Sequence, residues 1–139
     1  MHSLFKIEAL NTQGLHDAWP LVRSSGVYAN EDWWTAEACD VIRGGGGVLV
    51  ARAADGCVHA VTSFQPVNGE SERTLAVKRL ITLELTSNEP ARTALLGALE
   101  RIATKLECSY LLLPLAGKHV QTVEPAVASA WNDQIFLDA

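Results

Sequence analysis

A chain of 139 residues, 48% hydrophobic and only 19% charged, is long enough to bury one core and too apolar to stay disordered. The net charge of −5, with Lys78-Arg79 the only adjacent basic pair, excludes a protein built to grip nucleic acid. No apolar run reaches bilayer length, no signal peptide is read at the start, and Cys39, Cys57 and Cys108 lack CxxC spacing, so the expectation is one reduced, cytoplasmic domain over residues 1–139 with no membrane partner.

Leu4 to Leu10 alternates Phe5, Ile7 and Ala9 against Lys6 and Glu8, which predicts a first strand. Leu15, Ala18, Trp19 and Val22 share a helical face, with Pro20 near the helix start. Asn30 or Asp32 caps a second helix through Arg43, burying Trp34, Ala38, Val41 and Ile42. Gly44 to Gly47 has no Lys-Ser/Thr ending and precedes a strand, so it reads as a flexible connection rather than a phosphate loop.

Val48 to Ala53 and Val58 to Phe64 read as strands joined by a turn with Asp55-Gly56, a strong hairpin signal. Pro66 to Arg73 reads as a second turn. Thr74 to Leu85 then alternates by two, with Val77, Arg79, Ile81, Leu83 and Leu85 on one face and Lys78, Leu80, Thr82 and Glu84 on the other. Thr86-Ser87-Asn88-Glu89-Pro90 breaks that strand; Ser87 or Asn88 can cap, and Pro90 suits a first helical turn. Leu95, Ala98, Leu99, Ile102 and Leu106 follow at helical spacing, and Ser109 to Leu115 is a short apolar strand. Strand, helix and strand of this length predict a parallel pair with a right-handed crossover. A last helix is predicted from Thr122 or Pro125 through Trp131, then a short strand from Gln134 to Leu137.

The fold class expected is therefore α/β (α+β), a mixed sheet with an antiparallel meander and a parallel β-α-β crossover, flanked by helices. This order resembles the GNAT superfamily of acyl-CoA-dependent acetyltransferases over most of the chain, and Leu83 to Leu106 looks like that family's central strand and cofactor helix. The resemblance implies that the strand backbone at Leu83 and Leu85 receives the pantetheine arm of acetyl-CoA or another acyl-CoA. Ser87, Asn88, Ala91 and Arg92, at the helix start, would bind its pyrophosphate, where free N–H groups and the helix dipole favour an anion. The family's turn reads Gln/Arg-x-x-Gly-x-Gly/Ala, against Ser87-Asn88-Glu89-Pro90-Ala91-Arg92 here. Pro90 stands at a glycine position and removes an amide donor, Glu89 adds negative charge, and Arg92 can supply a guanidinium contact in compensation.

The resemblance also implies a general base at Glu84, acting on a small amine; the bland alternative is a glutamate facing solvent or paired with Lys78. The tyrosine acid of the family's last helix has no counterpart between Thr122 and Trp131. Cys57 and His59, two apart, suggest half a metal site, but no further ligands stand at recognisable spacing, so no metal is expected. His16 and His119 read as surface residues, although His119 follows the fifth strand near where the family's active site opens; Tyr110 reads as a packed residue, or else an acid, and Trp33-Trp34 as one core anchor beside one exposed neighbour, or else as the lining of a substrate pocket. The reading is an acyl-CoA-dependent N-acyltransferase; the alternative is a non-catalytic module that keeps the fold to bind a ligand or protein. Since the family closes its sheet with a pair of strands and only one is predicted after the last helix, a homodimer is expected.

Overall fold

The computed structural model describes residues 5–82, 90–114 and 120–123. The first strand, β1 (Phe5–Leu10), leads through a 3-10 turn (Leu15–Ala18) into α1 (Trp19–Ser24), and Pro20 sits in the first turn, where a missing N–H costs no helical bond. α2 (Glu31–Arg43) is capped by Asn30, whose Oδ1 accepts from the Trp33 amide at 2.8 Å.

The glycine tract is an ordered terminus rather than a flexible link. Gly45, at φ +91°, gives its amide to Ile42, and Gly46 gives its amide to Val41, the paired bonds that satisfy the last carbonyls of a helix. A Cβ on Gly46 would lie 2.0 Å from the Phe64 carbonyl oxygen, so β3 approaches too closely for any side chain.

β2 (Gly47–Ala53), β3 (Val58–Asn68) and β4 (Arg73–Thr82) form the expected meander, and β1 pairs antiparallel with β2. β4 and β5 (Tyr110–Pro114) are parallel, joined through α3 (Pro90–Lys105), and β6 (Val120–Val123) is antiparallel to β5. The sheet order is β1-β2-β3-β4-β5-β6. α3 packs on one face, with Leu95, Leu96 and Leu99 against Leu49, Leu75 and Leu111. α1 and α2 cover the other, with Val22, Trp34 and Ala38 against Val48, Val50 and Val61. Each fully buried leucine contributes about 1.5–3 kcal/mol relative to an exposed one.

Three further expectations are corrected. Pro66 lies inside β3, opposite Leu75, and the turn shrinks to the residues between Asn68 and Arg73. β2 begins at Gly47, opposite Phe64, so among the described residues Pro66 has β4 alone as a ladder neighbour, the edge setting in which a strand tolerates proline. Thr122 and Val123 belong to β6, which removes the helix start at Thr122, because pairing with β5 overrides their local pattern; the alternative start at Pro125 and the strand from Gln134 lie outside the described residues. The even alternation of β4 also fails. Ser63 pairs with Arg79 but Phe64 with Val77, a bulge that leaves Lys78 as the extra residue. As a result Val77 packs on the α3 side, whereas Ile81 packs with the α1–α2 cluster.

Candidate active site

The bulge coincides with the end of a ladder. β4 pairs with β5 only from Thr74 to Ala76, opposite Tyr110 to Leu112. Beyond that, from Val77 to Thr82, its β5-facing edge has no ladder partner among the described residues. A bulge bends and twists its strand, which accounts for two parallel neighbours parting here. Thr62, 1% exposed, donates its hydroxyl to the Arg79 carbonyl at 2.6 Å and braces the bulged segment.

The gap lies at the carboxyl end of β4, the end from which the chain turns back into α3. Pro90 opens that helix, as its position in the sequence predicts. Ala91 is fully buried. Arg92 is 4% exposed, and its Nη2 donates to Oγ1 of Thr82 at 3.2 Å, so the guanidinium is turned toward β4. Lys78 and Arg79 are exposed beside the gap. A free strand edge accepts an extended, amide-bearing chain through main-chain hydrogen bonds, and a helix start accepts an anion. Glu84, Leu83, Leu85, Ser87 and Asn88 lie outside the described residues.

Other candidates are dispersed. Cys57 falls in the β2–β3 turn, where its amide donates to Asp55 Oδ1 at 2.9 Å, and it lines a hollow of about 370 Å3 with Asp17, Pro20, Leu21 and Ser24. His59 instead packs its ring on Phe5, 5.2 Å between centroids, so the two do not share a face. A second bulge, where Ala51 pairs with Ala60 but Arg52 with Val58, makes His59 the extra residue. Among the described residues no group of three His, Cys, Asp or Glu is placed to hold a metal. His16 is exposed and sits against Glu31. His119 lies outside the described residues. Tyr110 is partly buried and donates to Glu72 at 3.3 Å. Trp34 is the core anchor and Trp33 the exposed neighbour.

Sequence reasoning passed over Tyr28 and Glu37. Tyr28 donates its hydroxyl to Glu37 Oε2, and the Arg79 guanidinium lies over its ring. The usable signal was Arg79 itself, a charged residue on the same predicted strand face as Val77 and Ile81.

No protein-family profile matches the sequence, and no curated protein sequence matches it. Solved structures do match. A ribosomal-protein-alanine N-acetyltransferase from Brucella melitensis superimposes with a TM-score of 0.63 at 20% identity, over 77% of this chain and 77% of its own. A glucosamine-6-phosphate N-acetyltransferase from Arabidopsis thaliana gives 0.66 at 13% identity, over 86% of this chain and 97% of its own. A GNAT-superfamily phosphinothricin acetyltransferase from Sinorhizobium meliloti, solved with acetyl-CoA, gives 0.63 at 12% identity over 78% of this chain and 64% of its own. The chain has the fold of the GNAT acetyltransferases, a mixed α/β sheet flanked by helices. These neighbours are N-acetyltransferases that differ in the acceptor they are named for. No helix of the described residues is long and apolar enough to cross a membrane.

Proposed function

We propose that this protein is an acyl-CoA-dependent N-acyltransferase acting on a small amine. The observation that carries the reading is the ladder between β4 and β5 stopping at Ala76, with the start of α3 beyond it. A strand edge opened in this way suits the amide-rich pantetheine arm, received by the backbone at Leu83 and Leu85. The pyrophosphate then falls to Ser87, Asn88, Ala91 and Arg92. Ala91 offers a backbone amide at the helix start and Arg92 its guanidinium, in place of the donor that Pro90 lacks.

In this reading Glu84 takes a proton from the acceptor ammonium, directly or through a water, and the free amine attacks the acyl carbonyl of the thioester. The carbon–sulfur bond breaks, the amide forms, and the CoA thiolate leaves and takes up a proton. Three free cysteines support a reducing, cytoplasmic setting, and a homodimer covers an edge of the sheet.

The inward turn of Arg92 toward Thr82 favours one other reading, a non-catalytic module that keeps the fold to bind a ligand or a protein partner. Calorimetric titration with acetyl-CoA separates the two. The enzyme reading expects weak, saturable binding; no heat at roughly millimolar ligand, a free energy of only about 4 kcal/mol, overturns it.

A further inference from the structure

The sheet face opposite α3 carries a connected set of side chains beside the gap. Arg79 lies in the part of β4 past its ladder with β5, on the side covered by α1 and α2. Its guanidinium carbon stands 5.6 Å from the ring centroid of Tyr28, which is buried in the segment between α1 and α2. Trp33, in the first turn of α2, meets Tyr28 edge-on at 5.2 Å and keeps 50% of its surface exposed. Burial, and then the hydrogen bond to Glu37, push the Tyr28 hydroxyl up to about 12, while Arg79 pulls the other way. The phenol therefore stays a protonated donor at neutral pH, anchored on Glu37.

The neutral phenol leaves the charge of Arg79 unneutralised. Among the described residues no carboxylate forms an ion pair with it. Its planar guanidinium is held over an aromatic ring, exposed, with donors suited to a carboxylate in a bidentate pair. Trp33 adds a flat apolar surface on the same side. α3 and its leucines fill the opposite face, whereas Arg79 and half of Trp33 remain exposed to solvent at the end of the face that α1 and α2 cover.

We infer that Arg79 and Trp33 form the acceptor subsite and select a primary amine bearing a carboxylate and an apolar or aromatic body. Arg79 takes the carboxylate, Trp33 takes the apolar body, and Tyr28 with Glu37 positions the guanidinium. The inference rests on the acyltransferase reading for the identity of the second substrate, but its binding chemistry is tested without acyl-CoA.

The experiment is an NMR titration of the isotopically labelled protein with phenylalanine and with phenylalaninamide, the same amine with the carboxylate neutralised. Phenylalanine is expected to shift the Trp33 indole N–H and to bind about tenfold or more tighter than the amide, given the strength of a charge-assisted contact. Arg79→Gln brings phenylalanine down to the level of the amide and leaves the amide unchanged; Trp33→Ala weakens both. Equal binding of the two probes, an acid preference surviving in Arg79→Gln, or no shift with either at roughly 10 mM overturns the subsite. Acetyl-CoA binding without acid–amide discrimination sinks the subsite alone. Acid preference without acetyl-CoA binding sinks the acyltransferase reading and leaves the carboxylate site standing.

Discussion

Arg92 reaches back from the first turn of α3 and donates to the Thr82 hydroxyl at 3.2 Å, tying the helix start to the last described residue of β4. The side chain is 4% exposed, in a position where the family resemblance expects a small residue. The proposed pyrophosphate site therefore includes a guanidinium that also fixes the helix start to β4.

Replacing it tests that dependence. Arg92→Ala is expected to weaken acetyl-CoA binding by roughly ten- to a hundredfold, the loss of one hydrogen bond to a charged group. Binding to the parent protein should also decline with added salt, as screening predicts. Calorimetry on both proteins, beside their melting curves, checks this; equal, tight binding in both would mean that backbone amides suffice.

Glu84→Gln retains shape and hydrogen-bonding capacity but not basicity. Turnover on an established amine acceptor is expected to fall about a hundredfold or more, with acetyl-CoA affinity held. Steady-state kinetics decides the matter, and an unchanged rate would remove Glu84 from the proposed mechanism.

Assembly follows from the edges of the sheet. β1 and β6 stand at the two ends of the described sheet, and an open edge invites a second copy. A homodimer is expected by light scattering at roughly tens of micromolar protein, where interfaces of standard size are formed. A monomer at that concentration rules it out.

Gly46→Ala places a methyl group where the Phe64 carbonyl oxygen already lies 2.0 Å from the ideal Cβ position. Backbone atoms must move to admit it, so the variant should lose about 1–3 kcal/mol. The urea midpoint should drop with the slope unchanged. Full stability would show that the connection yields freely.

His16 carries a pH signature. Its hydrogen bond to Glu31, followed by that carboxylate's charge, raises the imidazole above 6.5. The raised value lies on the folded side, so the stabilisation is complete below 6.5 and is lost as pH rises through the folded-state value. NMR titration of the ring should find His16 high and Glu31→Gln should return it toward 6.5; a normal midpoint in the parent protein would disprove the pairing.

Most of the fold was legible because its cues are local. Asn30 before an amphipathic run, Asp55-Gly56 between β-rich runs and Pro90 ahead of regularly spaced leucines each act within one turn of chain. The same cues misled where a partner strand decided the outcome. Pro66 is tolerated in β3 only because β2 starts too late to pair with it, and Val120–Val123 is a strand because β5 lies alongside.

The sequence by itself determined the order of elements, the faces of α2 and α3, and the parallel return from β4 to β5. These follow from spacing and caps, which the chain carries with it wherever it goes. Only the tertiary structure decided the phase of β4, because the extra residue at Lys78 exists solely in relation to Ser63 and Phe64 across the ladder. That single offset separates Val77 from Ile81 and accompanies the end of pairing with β5 at Ala76. It also brings Arg79 to Tyr28, fifty-one positions earlier in the chain, because side chains that distant meet only after the sheet and its covering helices have packed.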